Sequence, residues 1–520
     1  MKLDRSRLSA ALAAALVASA SSGQDVTGVD VAGPRLVHGA YFYVDVETRA
    51  TLRLNNTDFL PDRVTVRLRL GGSLVVELGT VVVPASAHLD IPLGPGSGSG
   101  VGGRWGDGSR PGSVWGSIEI ETRSSWGWIE SSAPDKSLVM GSEVGIMDPA
   151  MQLQSLWWKP TAATHVTFVV QNTSDESVQV RMESLHGGAW RAEAPVTLAP
   201  HQARLLTLPD AQATAGAVRW TASNDRHVLQ AMTLMVDEGA GFSEHFMARP
   251  PRPGGHTLLH SAGVPVGPGD ASLGFPVGPA FEPVLLLANP SEAVADVEVD
   301  LVDTAGARRT STTRLDAGEV RILDLGGISE RPAHVGLSLR SSTGGLVAEA
   351  LSVSRNAPTP YQYSFYAPFE APPGVAVPAP TERSQPGVKW VEFDLAEERN
   401  TLVILRNLSE DQQSARILFD YERSPEMGDY VATVTLAPYA TRLVDIEKLR
   451  QSQLPDELGR MFAASADTGF VLVKCDHGDV QVAMPIFDPV RGTCVDGCGR
   501  PSQTTYWRDP RSGLRWCRSN

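Results

Sequence analysis

Short apolar runs that stop at an asparagine recur along the chain: Leu52-Arg53-Leu54-Asn55-Asn56, Phe168-Val169-Val170-Gln171-Asn172, Leu285-Leu286-Leu287-Ala288-Asn289 and Val403-Ile404-Leu405-Arg406-Asn407. Their last residues, Asn56, Asn172, Asn289 and Asn407, lie 116, 117 and 118 residues apart. The register holds on both sides. An aromatic stands 13 or 14 residues upstream, at Tyr43, Trp158, Phe275 and Phe393. Eight residues downstream stand Val64, Val180, Val297 and Ala415, and ten downstream Val66, Met182, Val299 and Ile417. A step of two is the period of a strand with one face in the core. A turn follows at Pro84, Pro200, Gly318 and Pro438, then a second alternating strand at 204–208, 321–325 and 442–446. Strand pairs such as 217–222 with 228–236, and 335–340 with 346–353, close the units.

Short strands separated by turns, in units of about 100 residues, predict antiparallel β-sandwiches. The expected architecture is all-β, with four tandem antiparallel β-sandwich domains at 36–148, 152–247, 273–366 and 389–488. The first carries a Gly-rich insertion at 94–116. Pro/Gly-rich linkers are expected at 248–272 and 367–388, and a Cys-rich, disulfide-bearing tail at 489–520. A helical solenoid would repeat every 20–50 residues with a 3.6 period, and this chain does neither. One helix is expected, over 446–460. Each repeated Asn ends a strand, where its side chain suits a turn by bonding local backbone. A catalytic role repeated at four scattered places is the poorer account.

The N-terminus has Lys2, Arg5 and Arg7, then a Leu/Ala/Val stretch from Leu8 to Val17, then Ala18-Ser19-Ala20. That is the layout of a secretory signal peptide over 1–20, and the stretch is too short to span a bilayer. The expected product is exported to the periplasm, the cell surface or the exterior, and not integral to a membrane. The whole chain carries 45 basic and 59 acidic residues, a net charge of −14. That balance argues against a nucleic-acid partner and against a basic membrane-surface role. Gly and Pro together make about 17% of 520 residues, which fits a turn-rich chain rather than collagen or full disorder.

Candidate chemistry is sparse. Zinc-protease, P-loop and nucleophile-elbow spacings are missing. Trp105, Trp115, Trp126 and Trp128 cluster in the first sandwich and are candidate ligand-binding rings, with core packing as the plainer reading. Cys475, Cys494, Cys498 and Cys517 are an even set in an exported chain and read as disulfides. Three connectivities are open; Cys475–Cys494 with Cys498–Cys517 is preferred, because 480–487 can form a hairpin return. Zinc at Cys494 and Cys498 near His477 is the alternative. Asp296, Glu298 and Asp300 share one strand face, which suits either Ca²⁺ or a solvated sheet surface. His256 and His260 are four apart but in a linker, where helical spacing does not apply. Asn55, Asn172 and Asn407 match the glycosylation triplet.

An apolar strand ending in Asn-Thr-Ser or Asn-Leu-Ser, an alternating strand, and then Thr197-Leu198-Ala199-Pro200 or Thr435-Leu436-Ala437-Pro438 form a recurring pattern. Over 36–488 it resembles the immunoglobulin-like sandwich repeats of uncharacterised bacterial exported proteins. The resemblance implies immunoglobulin-like domains and no particular activity. The first three copies have no Cys, so the Cys…Trp…Cys core of antibody domains is missing. The expected function is non-catalytic: structural, adhesive or scaffolding at the cell envelope or outside the cell, with no cofactor and with envelope polysaccharide or protein as partner. Two alternatives stay open. One is a polysaccharide-acting enzyme or carbohydrate-binding accessory with its site in the first sandwich. The other is a periplasmic assembly factor using strand addition.

Overall fold

The computed structural model describes residues 35–44, 48–56, 60–71, 74–85, 87–93, 113–123, 125–133, 138–144, 149–207, 213–223, 226–251, 256–275, 280–304, 306–326, 333–355, 364–369, 390–396, 399–421, 429–475, 480–488, 493–497, 504–508 and 515–519. The expected signal peptide, most of the Gly-rich insertion and 370–388 of the second linker lie outside the described residues. The protein is all-β, with antiparallel sheets and one short α-helix among the described residues. It divides into two compact units, which meet in sequence at Pro251/Arg252; Leu185–Ala189 groups with the second.

The first unit holds two sets of strands. The first set is β1 (Arg35–Val44), β2 (Arg49–Asn56), β3 (Asp62–Leu70), β4 (Leu74–Val83), β5 (Ala87–Pro92), β6 (Val114–Thr122), β7 (Trp126–Ala133) and β8 (Leu138–Val144). The second is β9 (Gln152–Trp158), β10 (His165–Asn172), β11 (Val178–His186), β12 (Ala189–Ala192), β13 (Val196–Leu198), β14 (Ala203–Thr207), β15 (Ala215–Ala222), β16 (Leu229–Asp237) and β17 (Phe242–Met247). In the second unit the third set is β18 (Thr257–Pro268), β19 (Ala280–Ala288), β20 (Ala295–Asp303), β21 (Arg308–Leu315), β22 (Val320–Asp324), β23 (Ala333–Ser341), β24 (Val347–Arg355) and β25 (Ser364–Pro368). The fourth is β26 (Trp390–Asp394), β27 (Asn400–Asn407), β28 (Gln413–Asp420), β29 (Tyr430–Leu436), β30 (Thr441–Asp445), helix α1 (Ile446–Ser452), β31 (Thr468–Cys475), β32 (Val480–Asp488) and β33 (Thr493–Gly497). A separate hairpin joins β34 (Thr504–Arg508) and β35 (Arg515–Ser519).

One scheme of partners recurs. The strand that ends at the Asn sits between two others: β2 between β5 and β7, β10 between β14 and β16, β19 between β22 and β24, β27 between β30 and β32. A fourth strand then extends that layer: β8, β17, β25 and β33. The other layer runs β4-β3-β6-β1, β12-β11-β15-β9, β21-β20-β23-β18 and β29-β28-β31-β26, with β13 also on β11. In the first and third sets short pairings, Gly39↔Val144 and Gly267↔Phe281 with Pro268↔Ala280, join the two layers.

The layers meet face to face because alternate residues are apolar. In the fourth set Val403, Leu405, Val482 and Met484 pack on Phe393, Ile417, Phe419, Val471 and Val473. In the first, Leu52, Leu54 and Ile129 pack on Phe42, Val64, Val66, Ile118 and Ile120. Each such side chain contributes about 1.5–3 kcal/mol by leaving water. Within each unit a second face is covered too. Leu402 and Ile404 of β27, with Phe487, join the core of the third set beside Phe275, Val335 and Leu337. Val169, Met232 and Leu234 of the second set pack on Tyr41 and Tyr43 of the first. Burial on both faces is why 402–405 is an unbroken apolar run. In β2 the outward residue is Arg53, ion-paired with the partly exposed Asp90 at 2.7 Å.

Three boundaries differ from the sequence reading. The stretch expected as a linker at 248–272 contains β18, whose Leu259, Val264 and Val266 are core residues. The helix expected over 446–460 stops at Ser452: Gln453 takes a left-handed conformation (φ 48°) and Pro455 follows. Beyond it the buried Asp456 carboxylate accepts from the backbone N–H of Leu458, Arg460 and Val431, and holds Arg460 at 2.8 Å, so that segment folds as a loop. The expected tail at 489–520 contributes β33 to the fourth set.

Candidate functional site

The four asparagines are buried, each at 1% exposure or less. Asn172 Nδ2 donates to Glu176 O (2.7 Å) and Ala199 O (3.0 Å); its Oδ1 accepts from Ser174 N–H (3.0 Å) and Oγ–H (2.8 Å). Asn289 donates to Ala293 O, Leu315 O and Asp316 O, and accepts twice from Ser291. Asn407 donates to Asp411 O, Leu436 O and Ala437 O, and accepts twice from Ser409. Asn56 donates to Leu60 O, Val83 O and Pro84 O. One side chain thus ties the turn after its own strand to a turn about 28 residues on, supplying partners that buried carbonyls require. These amides are consumed by the fold, so the glycosylation triplets at Asn172 and Asn407 are closed in the folded chain. Asn55 is buried as well.

The far turn carries a left-handed residue: His201 (φ 55°), Gly318 (φ 70°) and Tyr439 (φ 57°). A side chain in this region costs about 1–2 kcal/mol, and the two non-glycine residues each reach a neighbouring set. His201 Nε2 lies 2.6 Å from Asp175, and its Nδ1 lies 3.5 Å from the fully buried Glu119, which also pairs with Arg69. Tyr439 lies under the Arg308 guanidinium at 5.4 Å.

The most heavily buried polar cluster lies where β27 and β32 pack on β18 and β23. Register slips in β18 between Ser261 and Val264. The bulge needs Gly263, at φ 108°, whose added Cβ would stand 2.1 Å from Val335 O. It also leaves three successive carbonyls to be satisfied by side chains. Gln481 Nε2 donates to His260 O (3.1 Å), Arg406 Nη1 to Ser261 O (2.6 Å), and His334 Nε2 to Ala262 O (3.1 Å). Arg406 also donates to Leu337 O, and through Nη2 to Ser338 Oγ at 2.8 Å. Gly336 makes room for the guanidinium: a Cβ there would stand 2.6 Å from Nε. Arg406 is 1% exposed and has no carboxylate in contact among the described residues; burial pulls it down to about 9. Burial, with Arg406 and Arg340 nearby, lowers His260 to about 4. Burial likewise lowers His334 to about 4, against the raising effect of its Ala262 bond.

Of the residues singled out in the sequence, those whose side chains are described do not converge. Trp115 is half-buried, 6.1 Å from the Tyr41 ring, and packs where the first and second sets meet. Trp126 and Trp128 stand in register with Asn55 and Arg53; their side chains, and all of Trp105, lie outside the described residues. Cys475, Cys494 and Cys517 fall on β31, β33 and β35. The cysteine side chains and the whole of Cys498 lie outside the described residues, and so does His477. On β20, Glu298 pairs with Arg340 (2.8 Å) and Asp300 with Arg308 (2.8 Å), the pattern of an ion-paired sheet surface. Among the described residues no three metal-capable side chains come together. His260 is in a strand and bonds Ser338 Oγ through Nδ1 at 2.8 Å; His256 is exposed. Sequence reasoning passed over Arg406, His334 and Gln481. The one available signal was Arg406 itself, a charge where the other copies have Asn55, Gln171 and Ala288.

Comparison with protein-family models, with curated proteins and with solved structures finds no match.

Proposed function

We propose that the chain is an exported, non-catalytic protein of four tandem immunoglobulin-like β-sandwich domains, acting as a spacer, adhesin or scaffold at the cell envelope or outside the cell. The observation that carries this reading is the recurrence of one strand-partner scheme around four buried asparagine ties. The side chains that looked most available for chemistry support it, because they serve the fold: the asparagines close turns, Glu298 and Asp300 of β20 pair with arginines, and His260 is built into a seam. Docking of one set on the next within each unit suits a spacer. The packing of Trp115 speaks for structure over sugar binding at that ring. The test is binding of the purified chain, begun after residue 20, to envelope fractions and to a glycan panel. Saturable envelope binding that survives replacement of Trp115, Trp126 and Trp128 by Ala supports the scaffold. Glycan binding lost in that variant overturns it in favour of the carbohydrate reading.

A second reading, assembly by strand addition, draws on β4. It is the terminal strand of its sheet and carries Leu74, Val75 and Val82 at 46%, 44% and 49% exposure. Natural edges are usually guarded by Lys, Pro or a bulge. Here the residues are mainly Val and Leu, and the guard is a single bulge in β4 at Leu78 and Gly79. A labelled peptide of sequence 74–83 is expected to bind the full chain saturably, and V75K/V82K to abolish that binding. Stability of V75K/V82K should change by no more than about 0.5 kcal/mol, as for other surface substitutions. Equal binding to both proteins would rule out this edge.

A further inference from the structure

We propose that the seam joining the third and fourth strand sets is an acid-released latch, closed by Arg406 and Gln481 on the β18 bulge and opened when His260 and His334 take up protons. This goes beyond the scaffold reading, since it requires only that the two sets can part. The geometry carries it. Ser338 Oγ lies 2.8 Å from both Arg406 Nη2 and His260 Nδ1. A guanidinium only donates, so the serine oxygen accepts from Arg406, and what remains of the hydroxyl, one proton and one lone pair, faces His260 Nδ1. Burial, beside Arg406 and Arg340, keeps His260 neutral. Protonation there turns a second cationic N–H onto the same oxygen. His334 is fixed as firmly: Nε2 donates to Ala262 O, while the buried Nδ1 has no partner. Its ring is stacked on Phe275 at 5.9 Å and meets Phe365 edge-on at 6.0 Å. A proton on Nδ1 would be a charge without an acceptor, in the field of Arg406.

The charged groups that face the imidazoles are both cations, Arg406 from β27 and Arg340 from β23. Asp300 of β20 is the carboxylate whose charge reaches Arg406, and it is already held by Arg308 of β21 and by Thr310. Glu298 is held by Arg340. Acid therefore adds positive charge to a seam with no uncommitted carboxylate among these groups. Two of the three bulge bonds, those from Arg406 and Gln481, come from the fourth set and break when it moves away; the His334 bond is internal to the third.

Both imidazoles have depressed values when latched, about 4 against an ordinary 6.5. Their contribution is thus complete above 6.5 and lost as pH falls from 6.5 toward 4. With an imidazole freed on opening, the opening equilibrium grows about 30-fold per imidazole between pH 8 and pH 5. Hydrogen exchange of the full chain, corrected for intrinsic rates, reads this out. Between pH 7.5 and 5, the side-chain N–H protons of Arg406 and Gln481, which cross the seam, are expected to lose protection by two to three orders of magnitude, while those of Asn56 in the first set keep theirs. The double variant His260→Gln/His334→Phe should keep protection at pH 5. Retained protection in the wild type, or the same loss in the double variant, overturns the latch; so does loss of protection across all of β18–β33 together, which is unfolding rather than release. A titration of the wild-type imidazoles by NMR decides the case if the variant does not fold: values near 4 support the latch and values near 6.5 overturn it.

Discussion

Arg406→Ala is expected to destabilise the second unit by about 3–5 kcal/mol, among the largest effects of any single substitution in the chain. Removing the guanidinium takes from Ser261 O and Leu337 O, both in the seam, the one side-chain donor each has among the described residues. A buried acceptor left alone costs about 1–3 kcal/mol. The emptied volume between Gly336 and Thr441 adds a cavity term. Arg406→Lys should recover little, since one ammonium cannot reproduce a planar fork that serves three acceptors. Urea unfolding followed by exchange of β23 and β27 amides measures the loss, and the midpoint of the first unit should stay where it is. A loss below about 1 kcal/mol would mean that water replaces the guanidinium and that the seam is held by Leu402, Ile404 and Phe487 alone.

How legible this was depends on where each signal lies. Short apolar strands bounded by turns were readable locally: 217–222 and 335–340 fall inside β15 and β23, and 346–353 begins one residue before β24. The asparagine ties were readable because strand end, turn and Ser two residues on are all local. β18 was hidden by Gly263, Pro265, Gly267 and Pro268, which look like linker. Yet Gly263 is there for a bulge, and Pro265 sits where β18 has β23 on one side only, since β19 pairs with it just at Gly267 and Pro268. The role of Arg406 was not readable. A charge two residues beyond Ile404 on the same strand face normally means solvent, and only the docking of that face on the third set reverses the inference. Period two reports which residues share a face; it does not report what covers that face.

The asparagine ties admit a sharper test than truncation. Asn289→Asp keeps size and shape but replaces a donor by an acceptor facing Ala293 O at 2.7 Å, Asp316 O at 3.0 Å and Leu315 O at 3.3 Å. Three carbonyls lose their donor and meet a partial or full negative charge at bonding distance, so the cost at neutral pH should be about 4 kcal/mol or more. Asn289→Ala removes the same bonds without the repulsion and should cost about 2–3 kcal/mol. The order Asn, Ala, Asp in falling stability is the signature of a donor role, because a site that merely needed a polar group of this shape would rank Asp above Ala. Asn407→Asp should act in the second unit and Asn172→Asp in the first, each leaving the other unit's unfolding midpoint unchanged. If the asparagines instead formed part of an active centre, one substitution would abolish an activity with little change in stability, and the four positions would not behave alike. Equal, local and purely structural losses at all four would make the Asn row what its hydrogen bonds describe: one turn-closing device used four times, which a single protein needs only if it builds the same sandwich four times over.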